Sequence, residues 1–281
     1  MAYKTVLAHC NDKRRIKRLA GAAVEVADRF GAHLIGLSIS PPVLVIPTGM
    51  PGTPDTIVID ERCQAYRRDN AELRSAFFEA GAHGQKVVPE WRELDAASSS
   101  VSAVVLAHAR AADLVVASQR DATWSGSAHL DIGDALIMGC GRPVLIVPNE
   151  GLCSGIGSRV LVAWNGGREA ARAVFDAVPF LLGAEDVKVI RIDSSEEADD
   201  SRQPATDICT ALARHGVRCQ ATEMVRTHAD VGHTLTQHTI SHRADLLVMG
   251  CYGHSRLREL VFGGVSRHQL RQMAIPVLMS H

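Results

Sequence analysis

A glycine-rich segment near residue 250 carries the clearest chemical signal in the sequence. It begins at Met249 and Gly250, directly after an apolar run, and continues through Gly253 to Gly263. Glycine has no Cβ, so the backbone of such a segment can approach a phosphate closely. A helix is predicted to begin near Val265, and the N–H groups of its first turn carry a partial positive charge. This arrangement predicts an anion cradle built mainly from backbone amides.

Other catalytic and metal-binding patterns are weak or absent from the sequence. There is no GxxxxGK[ST], GxSxG, HExxH or CxxC motif. His238 and His242 are four residues apart, so they would share a helix face and could bind zinc. No cysteine or carboxylate completes that set at a typical spacing, and we favour a solvated helix face. We therefore expect no dedicated catalytic residue and no metal site.

Three pairs of similar segments indicate that the sequence uses one unit twice. The pairs are 5–11 with 159–165, 112–116 with 244–248, and 142–146 with 275–279. Strand-like and helix-like segments alternate within each half, and several strands are continuously apolar, as in a parallel sheet covered on both faces. The alternation predicts an α/β fold with two tandem, doubly wound domains.

The domain boundaries follow from composition. We expect a first domain in residues 1–148, a glycine-rich linker in 149–157 and a second domain in 158–281. Residues 41–62 are rich in Pro, Gly and Thr and lack a helical period, which predicts a long loop or lid after the second strand. In the second domain, one helix is predicted over residues 169–182.

The composition narrows the classes of partner. The 281 residues include 30 basic and 31 acidic side chains, a net charge of −1, so non-specific binding to nucleic acid or to an anionic membrane is not expected. No apolar run reaches the ~18 residues of a membrane span, and we expect no signal peptide. The seven cysteines form no CxxC, which is typical of reduced thiols in a cytoplasmic protein.

The glycine spacing resembles the G-x2-G-x9-G-(S/T) nucleotide loop of universal stress proteins. Two residues separate Gly250 from Gly253, and nine separate Gly253 from Gly263. Since the repeat covers both halves, the whole chain resembles a tandem universal stress protein. The resemblance implies a Rossmann-like, five-stranded parallel sheet in each domain, in the order 3-2-1-4-5. It also implies ATP as a ligand, with or without Mg²⁺.

The resemblance further implies which residues form the site. Asn165 stands where the family has an Asp that helps to hold the adenosine, and Ala163 is the small residue just before it. Ile192, at the end of the second strand, would lie beside the adenine. The loop glycines would face the ribose and phosphates, and Val265 and Ser266 would cap the triphosphate.

Three further positions, and the missing charge of Asn165, complete or weaken the predicted site. Met249 lies at the base of the loop, and Arg256 could reach a γ-phosphate; an exposed arginine without a specific contact is the alternative. Asn165 carries no charge, and Gly264 stands where the family usually has Ser or Thr, so a hydroxyl contact is lost unless Ser266 replaces it. We expect weaker nucleotide binding than in a complete motif.

The first half departs further from the motif. Ser118 and Asp121 align with Gly250 and Gly253. A carboxylate at the place of a phosphate repels it, so we expect the first half to be a degenerate, structural or regulatory copy.

These observations lead to one functional expectation and two alternatives. The expectation is a stress-response protein that binds ATP or a similar adenine nucleotide in its C-terminal domain and acts as a nucleotide-dependent regulator of unknown protein partners. The two halves would pack as an internal pseudo-dimer, and a further homodimer stays open. One alternative is an interaction module that has lost nucleotide binding. The other is an enzyme on the same fold, a slow ATPase or a nucleotidyl-transferring enzyme.

Overall fold

The computed structural model describes residues 2–42, 55–97, 99–124, 126–193, 204–225, 231–251 and 264–281. The first half contains β1 (Thr5–His9), α1 (Ile16–Phe30), β2 (His33–Ser40), α2 (Asp55–Gly81), β3 (Pro89–Asp95), α3 (Val101–Ala109), β4 (Leu114–Ser118), α4 (Ser127–Leu130), α5 (Gly133–Gly139) and β5 (Val144–Val147). The second half contains β6 (Arg159–Ala163), α6 (Arg168–Asp176), α7 (Val178–Leu182), β7 (Asp186–Asp193), α8 (Ala205–Arg214), β8 (Gln220–Val225), α9 (Val231–Ser241), β9 (Leu246–Gly250), α10 (Gly264–Gln272) and β10 (Val277–Ser280).

All these strands belong to one sheet, in the order β3-β2-β1-β4-β5-β10-β9-β6-β7-β8. Within each half the strands are parallel and follow the order 3-2-1-4-5. The predicted fold class, two tandem doubly wound α/β units, is therefore confirmed. The halves meet through β5 and β10, which pair antiparallel with Leu145 opposite Leu278.

Hydrophobic clusters cover both faces of this sheet. Along β1, Val6 and Ala8 belong to one cluster, whereas Leu7 belongs to the other. Successive side chains of a strand point to opposite faces, so a strand that is buried on both faces needs apolar residues throughout. This requirement explains why Val144–Val147 is apolar throughout and Leu114–Ser118 is apolar up to its last residue; both strands are buried along their whole length.

An aromatic cluster joins the two halves on one face. Tyr3 and Phe30 from the first half pack on Phe180 from the second, with ring centroids 5.6 Å and 5.0 Å from that of Phe180. Arg29 lies over the rings of Phe30 and Phe180 and donates to the carbonyl of Ile156 at 2.6 Å. The contact surface thus combines apolar burial with a guanidinium that satisfies a backbone carbonyl of the linker.

Two element boundaries differ from the sequence prediction. Residues 55–62, predicted as loop, form the first turns of α2, because a helix that is already packed on the sheet extends at little further cost; residues 43–54 lie outside the described part. The helix predicted over 169–182 is interrupted at Ala177. Pro179 lies in the first turn of α7, where its missing N–H costs nothing, but it could not continue α6.

No helix in the described ranges has the length and apolar character needed to span a membrane.

The aromatic cluster predicts a large difference between two phenylalanines of the second half. Phe180 is fully buried, whereas Phe175 is 45% exposed. We expect Phe180→Ala to lower the free energy of unfolding by about 3–5 kcal/mol, because it leaves a cavity between the halves. Phe175→Ala should cost less than about 1 kcal/mol. Urea unfolding of both variants measures the difference, and equal losses would contradict this account of the contact surface.

Candidate functional site

A cavity of about 270 Å³ lies at the carboxyl ends of β6, β7 and β9. Eight of the residues predicted from the sequence line it: Ala163, Asn165, Ile192, Met249, Gly250, Gly264, Val265 and Ser266. Gly253, Arg256 and Gly263 fall outside the described residues. The structure therefore brings together every predicted residue that it describes.

The strand order explains why these residues meet. β6 lies between β9 and β7, and Ala163 at its end is opposite Ile190 on one side and Met249 on the other. The chain leaves β6 toward β7 and later returns to β9 on the opposite side. Such a switch point in the strand order opens a crevice beyond the strand ends, where ligands of open α/β sheets bind.

The wall of the cavity is mainly apolar. Val231 and Leu235 of α9 face it, together with Ile192 from β7 and the buried Trp164. An apolar slot with few polar groups suits a flat aromatic base better than a sugar or an anion.

Asn165 shapes the loop that leaves β6. Its Oδ1 accepts a hydrogen bond from the Gly167 N–H at 2.9 Å, and Gly166 between them has φ 71°. This Asx-type turn sets the direction from which α6 begins at Arg168. The side-chain oxygen of Asn165 therefore has a structural partner, which the sequence did not indicate.

Gly250 is required by packing as well as by any ligand. A Cβ at this position would lie 2.4 Å from the Ala170 nitrogen and 2.4 Å from the Glu169 carbonyl carbon. These are backbone atoms of α6, which cannot move away as a flexible side chain could. The glycine thus lets the end of β9 contact the first turn of α6, and this contact closes one side of the cavity.

The first turn of α10 forms the polar end of the cavity. Gly264, Val265 and Ser266 begin this helix, and a Cβ added to Gly264 would meet no atom of the described residues within 4 Å. Ser266 is buried, and its side chain hydrogen-bonds with the thiol of Cys251. Burial raises the pKa of that thiol to about 12, so it stays protonated at neutral pH. The unpaired backbone N–H groups of this first turn carry a partial positive charge, which favours an anion at this end.

Glu169 is a lining residue that the sequence analysis missed. Its side chain is buried, and Oε1 accepts from Arg168 Nη2 at 2.9 Å and from Nε at 3.1 Å. A carboxylate held in this way can accept hydrogen bonds from ligand hydroxyl groups. Its position four residues after Asn165, on the helix that follows β6, is the only sequence signal that could have indicated it.

The matching strand end of the first half carries a buried imidazole. His9 ends β1 as Ala163 ends β6, and the imidazole is 2% exposed. Burial lowers the pKa of His9 to about 4, so the ring is neutral at pH 7. An imidazole thus occupies the position at which the second half has only a methyl group.

Ion pairs and hydrogen bonds join the loop that follows β1 to the segment that follows β4. Arg15, four residues after Asn11, donates to Asp12 Oδ2 at 2.8 Å and to Asp131 Oδ1 at 2.6 Å. Asp131 also accepts from Asn11 Nδ2 and from the backbone N–H of Asp121, both at 2.9 Å. Carboxylates of the protein therefore occupy the surroundings of the β1 loop.

The first half has a larger cavity, of about 900 Å³, at the matching strand ends, where Asn11 and Ile39 line it as Asn165 and Ile192 line the cavity of the second half. Its lining includes Asp131 and Asp134, and burial raises the pKa of Asp134. Ser38 donates to Asn70 Oδ1 at 2.7 Å, so part of the polar wall is satisfied internally. This polar, carboxylate-containing space differs from the apolar slot of the second half.

The histidines considered for zinc do not form a ligand set. Within the described ranges, no group of three or more His, Cys, Asp or Glu side chains could hold a metal ion. His242 Nε2 lies 3.7 Å from Asp186 Oδ2, and burial lowers the pKa of both His238 and His242.

The doubly wound halves, with a cavity at the switch point of the second, define a Rossmann-like α/β protein. Residues 158–281 match the model of the universal stress protein family. Universal stress protein Slr1230 of Synechocystis sp. is 26% identical over 172 residues, which cover 59% of this chain and 57% of that protein. The chain thus aligns with little more than half the length of this relative.

Two solved structures show the same fold along nearly the whole chain. A universal stress protein from Archaeoglobus fulgidus has a TM-score of 0.68 at 14% identity and covers 99% of this chain and 96% of its own. A functionally unknown protein from Pseudomonas aeruginosa has a TM-score of 0.56 at 13% identity, with coverages of 99% and 92%. Residues 158–281 therefore form a universal stress protein domain, and the first half shares its fold.

Burial of His9 predicts a pH-dependent part of the stability. The folded-state pKa lies near 4, below the ordinary 6.5, so the unfolded chain binds the proton more tightly. The contribution is complete above pH 6.5 and is lost as the pH falls toward 4, about 3 kcal/mol in total. We expect His9→Asn to reduce this slope in urea unfolding between pH 7 and pH 4. The exposed His83 provides the control, and a slope that His9→Asn and His83→Asn change equally would contradict the assignment.

Proposed function

We propose that the second half binds an adenine nucleotide, ATP in the first instance, and that binding regulates the affinity of the protein for partners. The observation that carries the proposal is the convergence of the eight sequence-selected residues on one cavity at the switch point of the sheet. A glycine loop alone would be a weak argument. Its support comes from the apolar slot and the helix N-terminus that the fold adds to it.

Each part of the cavity has a matching part of the nucleotide. The adenine would lie in the apolar slot beside Ile192 and Ala163, and Glu169 would accept hydrogen bonds from the ribose hydroxyl groups. The phosphates would lie against the backbone N–H groups of the first turn of α10. The cavity is somewhat smaller than the ~300–1,000 Å³ usual for ligand pockets. It would therefore hold the nucleoside, with the phosphates extending past Gly264.

The first half is proposed to bind no nucleotide. His9 stands where the second half has Ala163, and Asp12 and Asp131, which pair with Arg15, line the cavity of the first half. A nucleotide would have to displace these groups, and a phosphate would meet carboxylates there. The proposal is therefore one site per chain, in a protein that acts in the cytoplasm, where the free cysteines of the described residues would stay reduced.

Calorimetric titration with ATP and Mg²⁺ tests the site, with Ala163→His as the decisive variant. We expect one site per chain in the wild type, and a 10- to 100-fold loss of affinity in the variant, because the imidazole overfills the slot at a cost of about 1–3 kcal/mol. Ala135→His adds the same ring to the cavity of the first half and should leave binding unchanged.

The outcomes of this titration separate the alternatives. Two sites per chain would overturn the assignment of the first half. A wild type that binds no adenine nucleotide would overturn the proposed function. Thermal unfolding of each variant shows whether a loss of binding reflects the site or the fold.

A second prediction concerns the hydroxyl that is missing at Gly264. A Cβ there meets none of the residues that the structure describes, so Gly264→Ser should place a hydroxyl beside the phosphates. One added hydrogen bond of about 0.5–1.5 kcal/mol would tighten ATP binding about 2- to 10-fold. Gly264→Ala supplies the same Cβ without the hydroxyl. Equal affinities of the Ser and Ala variants would contradict the placement of the phosphates at this turn.

A further inference from the structure

Two cysteines of the second half contact each other at the edge of the sheet. Cys209 lies in α8, and Cys219 directly precedes β8, the last strand in the sheet order. Their side chains are within hydrogen-bond reach of each other, and both are partly exposed and unbonded. In contrast, Cys10, Cys140 and Cys251 are buried.

The fold places both thiols on one face of the sheet. Alternate residues of this strand region point toward α8: Cys219 and Ala221 pack against the cluster that contains Ile208 of α8, and the Glu223 carboxylate accepts from the Ala205 N–H at 2.8 Å. Met224, of opposite parity, packs on the other face. The contact between the thiols therefore follows from the strand alternation.

A tight turn returns the chain from α8 to β8. Gly216 has φ 87°, and the Val217 N–H donates to the Leu212 carbonyl at 3.1 Å. This pattern is a helix C-terminal turn that glycine favours. It brings position 219 back beside the helix, so a bond between the two sulfurs would close only a short loop.

We propose that Cys209 and Cys219 form a redox-responsive dithiol, which a peroxide or a low-molecular-weight disulfide oxidises to an intramolecular disulfide. Two S–H bonds break and one S–S bond forms. With hydrogen peroxide, the two electrons and two protons pass to the oxidant, which leaves as two molecules of water. With a small disulfide, a mixed disulfide forms first, and two small thiols are released. This modification is independent of the nucleotide site.

The chemistry of the pair sets the expected rate. Burial, together with the neighbouring thiol, raises the pKa of Cys209. Since the thiolate is the attacking species, we expect slow oxidation at neutral pH and faster oxidation as the pH rises. A partly exposed disulfide at a sheet edge should also be readily reduced again.

Peptide mapping tests the proposal directly. Trypsin should release Cys209 in peptide 203–214 and Cys219 in peptide 219–226, because Arg202, Arg214, Arg218 and Arg226 are the cleavage sites. After treatment with hydrogen peroxide and alkylation of free thiols, we expect these two peptides to be linked. The linked species should be two hydrogen atoms lighter than the sum of the peptides, and dithiothreitol should separate it.

Matched variants distinguish this pair from other thiols. Cys209→Ser and Cys219→Ser should each abolish the linked peptides, whereas Cys153→Ser, at another partly buried thiol, should leave them unchanged. The wild-type map alone decides the matter if a variant fails to fold. Separate oxidation of the two cysteines to sulfinic acids, a link to another cysteine, or two thiols that stay alkylated after oxidation would each overturn the proposal.

Discussion

The antiparallel pairing of β5 with β10 is the constraint on which the rest of the structure depends. A five-stranded parallel sheet of this order would leave its fifth strand as an exposed edge with unpaired backbone groups. Here the fifth strands of the two halves pair with each other, and Leu145 and Leu278 lie opposite at the centre of the buried sheet. This contact between the halves, the seam, extends from β5 and β10 to the loops, because Gln119 Nε2 donates to the Leu270 carbonyl at 2.9 Å.

This seam also holds the candidate site. α10 directly precedes β10, and its first turn forms the polar end of the cavity. The first half therefore helps to support the site of the second, although its own cavity is lined by carboxylates. The first half has the imidazole of His9 where the second half has the methyl group of Ala163. Four residues after the matching asparagines the charges are also opposite, with Arg15 in the first half and Glu169 in the second. The two halves thus have an apolar cavity and a carboxylate-lined cavity at matching strand ends.

Much of this organisation could be predicted from the sequence, because it depends on periodicity. The repeat, the alternation of elements and the apolar strands required a doubly wound sheet, and the glycine spacing selected residues that meet at one cavity. Side-chain contacts between elements could not be predicted. The sequence did not indicate that Gly250 is pressed against the backbone of α6, that Glu169 lines the cavity, or that Asn165 bonds to Gly167. Pro179 interrupts the helix at Ala177, but the helical spacing of the apolar residues around it gave no sign of the break.

The pairing between β5 and β10 joins two segments of one chain. Two separate subunits held by the same strands would have a dissociation constant, and dilution would part them. Within one polypeptide, the linker keeps each half at a high effective concentration for the other. The contact surface therefore does not have to be self-complementary: Arg29 of the first half donates to the Ile156 carbonyl of the linker and lies over the Phe180 ring of the second half. Covalent connection freed the two copies from symmetry, so each could acquire its own residues while the sheet stayed whole at any protein concentration.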